Sequence, residues 1–144
     1  MTPDINVLVA ASRSDHPNHS IAREWLEEAI EACESGGSIE VLPMVAAGFL
    51  RLVTNVRVFP DPSPTQQAVA FMDALLAAPG VEMAESGREW PTLRRLCLDG
   101  TLSGNAIPDA WIAAAVKVMN GRLVTLDRGF TRLLSKSELL LLRR

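Results

Sequence analysis

The chain has 144 residues and a formal net charge of −3; hydrophobic residues make up 48% of it, aromatic residues 5%, and tyrosine is absent. This length indicates one domain, residues 1–144, and the acidic balance argues against a general nucleic-acid binder, whose affinity depends mostly on neutralised phosphates. No apolar run approaches the roughly 18 residues of a membrane span, and no leader precedes the first apolar segment, so we expect a cytoplasmic protein with no membrane partner.

Apolar spacing and turn residues predict strands that alternate with helices. The run at residues 5–11 is short and mostly apolar, and we interpret it as the first strand, while residues 55–64 contain three prolines and read as a loop. This alternation favours an α/β fold with a parallel sheet. The predicted strands are residues 5–11, 38–42, 81–84, 123–126 and 139–142, and the predicted helices are residues 21–34, 44–54, 65–77, 90–98, 108–119 and 130–134.

Charge is unevenly distributed along the chain. Residues 117–144 hold 7 Lys or Arg and 2 Asp or Glu, whereas residues 1–116 hold 7 Lys or Arg and 15 Asp or Glu. The basic last quarter is compatible with a polyanion held over metal-bound carboxylates, and equally with a dipolar surface that has no ligand. Both interpretations stay open from the sequence.

Three aspartates, Asp4, Asp109 and Asp127, lie at junctions between apolar segments, where a carboxylate is a poor choice for packing. In isolation, Asp127 is explained as a helix cap and Asp109 as an ordinary acid in the first turn of a helix. Ligands of parallel α/β sheets bind outside the carboxyl ends of the strands, so we expect the fold to bring the three together. Because they would then repel one another unless a cation lay between them, the pattern predicts a divalent-metal site.

Other combinations of reactive residues are weaker. His16 and His19 are the only histidines, and surface polar residues explain them better than a transition-metal pair does. Cys33 and Cys97 have no metal-ligand spacing and are expected to be buried free thiols. The sequence has neither a P-loop nor a Gly-x-Ser-x-Gly elbow, which excludes a P-loop nucleotide site and argues against a serine hydrolase.

Four phrases, at residues 4–8, 48–55, 104–110 and 125–130, resemble segments of PIN-domain proteins, and most of all the VapC group of bacterial ribonuclease toxins. They occur in the family's order and cover essentially the whole chain. The resemblance implies a three-layer α/β/α domain with a parallel central sheet and a Mg²⁺ or Mn²⁺ site. It also implies cleavage of RNA and a cognate VapB-type antitoxin.

The resemblance assigns roles to particular residues. Catalysis and metal binding belong to the acidic positions filled here by Asp4, Asp109 and Asp127. Polar residues beside these acids match positions that orient ligands or water molecules, and they are Asn6, Asn105 and Thr125.

The chain departs from the family pattern in the second predicted helix. Many members have a glutamate there, at the position where this chain has Gly48. The nearest acid, Glu40, is eight residues earlier, a separation that would span about 12 Å in a helix and is too long for a simple replacement. Glu40 is therefore only a secondary candidate ligand. A site with three carboxylates would hold one metal ion more readily than a pair of metal ions.

A metal-dependent endoribonuclease is the preferred hypothesis, in which an ion held by the three aspartates lowers the pKa of a water molecule for in-line attack on phosphorus. The resemblance implies products with 5′-phosphate and 3′-hydroxyl ends. The alternatives are a catalytically weak PIN module that binds RNA or its antitoxin, and a different Mg²⁺ enzyme such as a phosphatase. Candidate phosphate contacts, each equally explained as a solvated charge, are Arg51, Arg128 and Arg132.

Two predicted helices, at residues 44–53 and 110–119, are apolar on more than one face. Burial in the core explains most of that surface, and an antitoxin helix or a second copy of the chain would cover the remainder. We therefore also expect a homodimer.

Overall fold

A computed structural model describes residues 1–143 as short parallel strands that alternate with helices. The strands are β1 (Thr2–Pro3), β2 (Ile39–Val41), β3 (Val81–Met83), β4 (Leu123–Thr125) and β5 (Leu139–Leu141). The helices are α1 (Ile5–Ser12), α2 (His19–Cys33), α3 (Pro43–Val53), α4 (Thr65–Ala77), α5 (Trp90–Gly100) and α6 (Ala106–Val118), with a 3₁₀ helix at Arg128–Arg132.

All strand pairs run parallel, as the alternation predicted. β4 lies between β1 and β5, and β2 pairs with β3. The two groups meet where the Glu40 N–H donates to the Met1 carbonyl at 3.0 Å, so the strands follow one another across the molecule in the order β3-β2-β1-β4-β5. This arrangement confirms the predicted α/β/α fold with a parallel central sheet.

The core is built mostly from aliphatic side chains, together with Trp25, Met72 and two phenylalanines, Phe49 and Phe130, which are fully buried or nearly so. α1 packs against α2 and α3, α3 packs against α4, and α5 packs against α6. The segment Ala110 to Val116 in α6 is buried as its composition predicted, except at Trp111, which is 38% exposed. None of the described helices is long and apolar enough to cross a membrane.

The prediction of a first strand at residues 5–11 is wrong. The strand is Thr2–Pro3, and the chain turns into α1 at Ile5 because the Asp4 carboxylate accepts the Ile5 N–H at 2.7 Å and caps the helix. α1 is buried from Val7 to Ala11, so it has no polar face, and its apolar run cannot be distinguished from a buried strand by periodicity.

Two smaller predictions also change. The helix expected at residues 130–134 is the 3₁₀ helix Arg128–Arg132, which begins directly after Asp127. Cys33 and Cys97 are free as expected, but both are half-buried rather than buried.

Candidate metal centre

Asp4 connects β1 to α1 at the carboxyl end of the sheet. Its N–H donates to the Val124 carbonyl at 2.9 Å, which continues the pairing of β1 with β4. One carboxylate oxygen accepts the Ile5 N–H at 2.7 Å, and the other accepts the Thr125 hydroxyl at 2.6 Å. The side chain is only 5% exposed, so a charge is held almost out of water.

The pKa of Asp4 shows that other carboxylates lie nearby. Burial raises this pKa from 3.8 to about 6, while the hydrogen bonds from Thr125 and Ile5 oppose the rise. The negative charges of Asp109 and Asp127 raise it further. Three aspartates that are remote in sequence are therefore near enough for the charges of two of them to act on the third, and their joint role as a site stays a prediction.

Asp109 lies in the first turn of α6 and is half-buried. Burial raises its pKa, and the charge of Asp127 adds to the rise. Asp127 is exposed and caps the 3₁₀ helix, since its Oδ1 accepts the Gly129 N–H at 2.7 Å. Asp127 therefore does cap a helix, and the cap occupies one oxygen of a carboxylate whose charge also acts on Asp109.

Thr125 connects all the polar groups around Asp4. Its hydroxyl donates to Asp4 and accepts the Asn6 side-chain amide at 3.1 Å and the Asp127 N–H at 3.0 Å. The side-chain oxygen of Asn6, Oδ1, in turn accepts the Leu126 N–H at 3.1 Å. Asn6 and Thr125 therefore orient Asp4 and the segment that leads to Asp127.

The remaining predicted residues are placed differently. Asn105 is exposed, and its side chain does not cap α6. Glu40 lies beside the start of β1, where its carboxylate contacts the Met1 amino group at 3.5 Å and the Ser38 hydroxyl at 2.9 Å. Asp4 follows the other end of the same strand, so the structure does not bring Glu40 to the three aspartates.

Gly48, where the family pattern has a glutamate, lies in α3 against the Ile5 side chain. A Cβ atom at this position would meet Ile5 Cδ1 at 2.5 Å, so Ile5 would have to move to admit any side chain. α3 is apolar next to the site, and it supplies no fourth carboxylate there.

The donor set fits a divalent metal ion. Carboxylate oxygens are the ligands that Mg²⁺ and Mn²⁺ prefer, and a cation would stabilise the charged forms of Asp4 and Asp109, whose pKa values are raised mainly by burial and further by neighbouring carboxylates. Within residues 1–143, no three acidic, histidine or cysteine side chains are already drawn into a metal cage. The centre is therefore an open cluster of acids, and its role as a metal site stays a prediction.

A further contact near Asp109 could not be found from the sequence. Glu89 is buried at the start of α5, where it accepts the Trp111 indole N–H and the Gly87 N–H, each at 2.7 Å. Trp111 is two residues beyond Asp109, so this bond holds the first turns of α6 against α5. A glutamate before a helix is so common that the sequence gives no signal for such a partner.

Replacing Thr125 by valine is expected to lower the affinity for Mn²⁺ tenfold to a hundredfold, because Asp4 loses the hydroxyl that orients it. Isothermal titration calorimetry with Mn²⁺ measures this change directly. Thr125→Ser keeps the hydroxyl and is the matched control. Equal Mn²⁺ affinity in the valine variant and the wild type would contradict a positioning role for Thr125.

A family model and individual relatives agree on the family to which this chain is similar. The model described as the PIN domain matches residues 1–134. Ribonuclease VapC31 of Mycobacterium tuberculosis (strain CDC 1551 / Oshkosh) is 42% identical over 133 residues, which cover 92% of each chain. Ribonuclease VapC43 of Mycobacterium tuberculosis (strain ATCC 25618 / H37Rv) is 43% identical over 131 residues, which cover 90% of this chain and 86% of the relative.

A solved structure has a similar fold. It is the structure of VapBC2 from Rickettsia felis bound to a DNA fragment from the VapBC2 promoter, with a TM-score of 0.67 and 21% sequence identity. The match covers 99% of this chain and 98% of the other. At this level of identity, the likeness shows the fold alone.

Proposed function

This chain belongs to the PIN-domain family, with VapC ribonucleases among its relatives, and on that basis we propose that it is a Mg²⁺-dependent endoribonuclease and the toxin of a type II toxin–antitoxin pair. One observation carries the proposal. Asp4, Asp109 and Asp127 come from three remote segments; burial raises the pKa of the first two, and the charge of another member of the set adds to each rise. A cluster of acids without cationic partners is typical of a metal-dependent hydrolase.

The residues of this chain would bind the metal ion and orient its ligands. Asp4, Asp109 and Asp127 would hold Mg²⁺, or Mn²⁺ in its place, and Thr125 and Asn6 would fix the orientation of Asp4. When bound, the ion supplies Lewis-acid chemistry, lowering the pKa of water and neutralising charge on a phosphate. The position of Asp4 at the junction of β1 and α1 keeps one ligand rigid while the exposed Asp127 remains accessible to substrate.

We also propose a cognate VapB-type antitoxin as partner. The relatives are named VapC, and the solved structure with a similar fold is a VapBC complex. Apolar surface is available for such a partner on α5, where Trp90 and Leu98 are each 62% exposed. The homodimer suggested by the sequence was expected on the apolar faces of residues 44–53 and 110–119, where Trp111 is 38% exposed, and both assemblies stay predictions.

The test of this function is cleavage of structured RNA by the purified protein, with and without Mg²⁺. Products with 5′-phosphate ends that appear only with Mg²⁺, and that disappear in excess EDTA, are the expected result. RNA 5′ ends sequenced after expression of the protein alone would identify the sites. Undiminished cleavage in excess EDTA would reject the metal-dependent mechanism.

A second function, binding without turnover, is favoured by two observations. α3 supplies no carboxylate next to Ile5, and the acids of the described chain are not drawn into a closed cage. RNA binding without any metal-dependent product in the same assay would support this module. Copurification with the product of the neighbouring reading frame then tests the antitoxin partnership independently of cleavage.

A further inference from the structure

A groove runs beside the metal centre on the side of the last strand. It encloses about 300 Å³ and combines apolar walls with two arginines and an amide. It is lined by Asn18, Leu126, Arg128, Leu141, Leu142 and Arg143. No acidic residue lines it, although the chain as a whole is acidic.

The pairing of β4 with β5 places this groove next to Asp127. Thr125 lies opposite Leu141, and the Leu142 N–H donates to the Thr125 carbonyl at 2.9 Å, which continues the parallel pairing past the end of β5. Two residues further along each strand, Arg143 follows Leu141 as Asp127 follows Thr125. Arg143 therefore follows the end of β5 at the same edge of the sheet where Asp127 follows β4, and the two neighbours of Asp127 in the chain, Leu126 and Arg128, line the same groove as Arg143.

The two arginines have no partner in the described part of the chain. Neither guanidinium of Arg128 and Arg143 makes a hydrogen bond or an ion pair with any of residues 1–143. Other exposed arginines of residues 1–143, such as Arg95, also have no partner, so Arg128 and Arg143 are distinguished by lining the same groove. Two unpaired guanidinium groups at one groove are an arrangement suited to phosphate oxygens.

We propose that this groove binds the RNA strand next to the cleaved bond, with Arg128 and Arg143 on its phosphates and the leucines against a ribose or base. The proposal rests on the proposed function, since it identifies the path of the substrate away from that site. The groove is continuous with the centre, because the Leu126 N–H that borders it is held by the Asn6 side chain of the aspartate network. The apolar wall has no aromatic residue and makes few specific hydrogen bonds, so the groove recognises the backbone more than the sequence.

The test measures RNA binding separately from cleavage. In an Asp109→Asn background, which prevents consumption of the probe, a fluorescein-labelled, unstructured RNA of mixed sequence is titrated in Mg²⁺ and followed by fluorescence anisotropy. Arg128→Gln and Arg143→Gln are each expected to weaken binding roughly fivefold to tenfold. Each should also reduce the slope of log affinity against log salt by about 0.7, the value for one single-strand phosphate contact. Arg95→Gln, an exposed arginine on α5, is the matched control.

The outcomes separate this proposal from the proposed function. If the wild type cleaves RNA but both groove variants bind RNA as tightly as Arg95→Gln does, the proposed role of the groove is wrong and the proposed nuclease function is retained. If the wild type binds RNA through the groove without cleaving it, the proposed role of the groove is retained and the proposed nuclease function is wrong. Groove variants that bind RNA normally but lose affinity for the neighbouring frame's product would assign the surface to a protein and overturn the proposal. An absence of any RNA binding by the parent protein overturns both.

Discussion

Replacing Asp109 by asparagine is expected to reduce Mg²⁺-dependent RNA cleavage on the order of a thousandfold, with no loss of the fold. The amide cannot supply the negative charge that a metal ion requires, and a loss of several kcal/mol of transition-state stabilisation corresponds to this factor. The side chain is only half-buried and its charge is repelled by Asp127, so the folded state does not depend on it. Initial rates on a labelled RNA measure the change.

Asp73→Asn is the matched control, because Asp73 is an exposed acid on α4. This variant should cleave RNA like the wild type. Circular dichroism should show the same spectrum for the wild type, Asp109→Asn and Asp73→Asn. Asp4→Asn and Asp127→Asn are expected to lose activity in the same way as Asp109→Asn. A fully active Asp109→Asn protein would reject the metal centre.

The contribution of Asp4 to the stability of the metal-free protein is expected to fall as the pH rises from about 4 to 6. In the unfolded chain this carboxyl has a pKa near 3.8, and in the folded protein burial raises the pKa to about 6. Between these values the folded state binds the proton more tightly than the unfolded state, so this contribution falls as the pH rises and stays low above 6. The shift corresponds to roughly 3 kcal/mol of unfolding free energy.

Comparison of the wild type with Asp4→Asn isolates this effect from other titrating groups. Urea unfolding in EDTA should show the variant gaining roughly 3 kcal/mol relative to the wild type between pH 4 and pH 7. Saturating Mg²⁺ should stabilise the wild type most above pH 6, where Asp4 is free of protons. Asp73→Asn should run parallel to the wild type, and an equally parallel curve for Asp4→Asn would show that Asp4 is not buried as a charge.

Much of the fold is predictable because its local signals agree with its packing. The helix predicted at residues 65–77 is α4 with the same bounds, since its apolar spacing is periodic and prolines stand on both sides. The failure at residues 5–11 has the opposite cause. α1 is buried on nearly every side, so its sequence has no polar period, and tertiary packing alone selects helix over strand.

This one error changes how the candidate site is understood. An aspartate that precedes a strand would lie at the amino end of the sheet, away from Asp127. In the structure Asp4 instead follows β1 and caps α1, which puts it at the carboxyl end with the other two. The convergence expected from the sequence therefore depends on a geometry that the predicted elements alone did not contain.

The sequence by itself determined the alternation of strands and helices and the placing of acids at three junctions, because both are local patterns of residue type. It did not determine that Asp4 is nearly removed from water, that Thr125 holds it across 121 positions of the chain, or that Arg143 shares a groove with Arg128. Desolvation and hydrogen bonding depend on which remote segments pack together, and that choice is made only when the parallel strands pair in register.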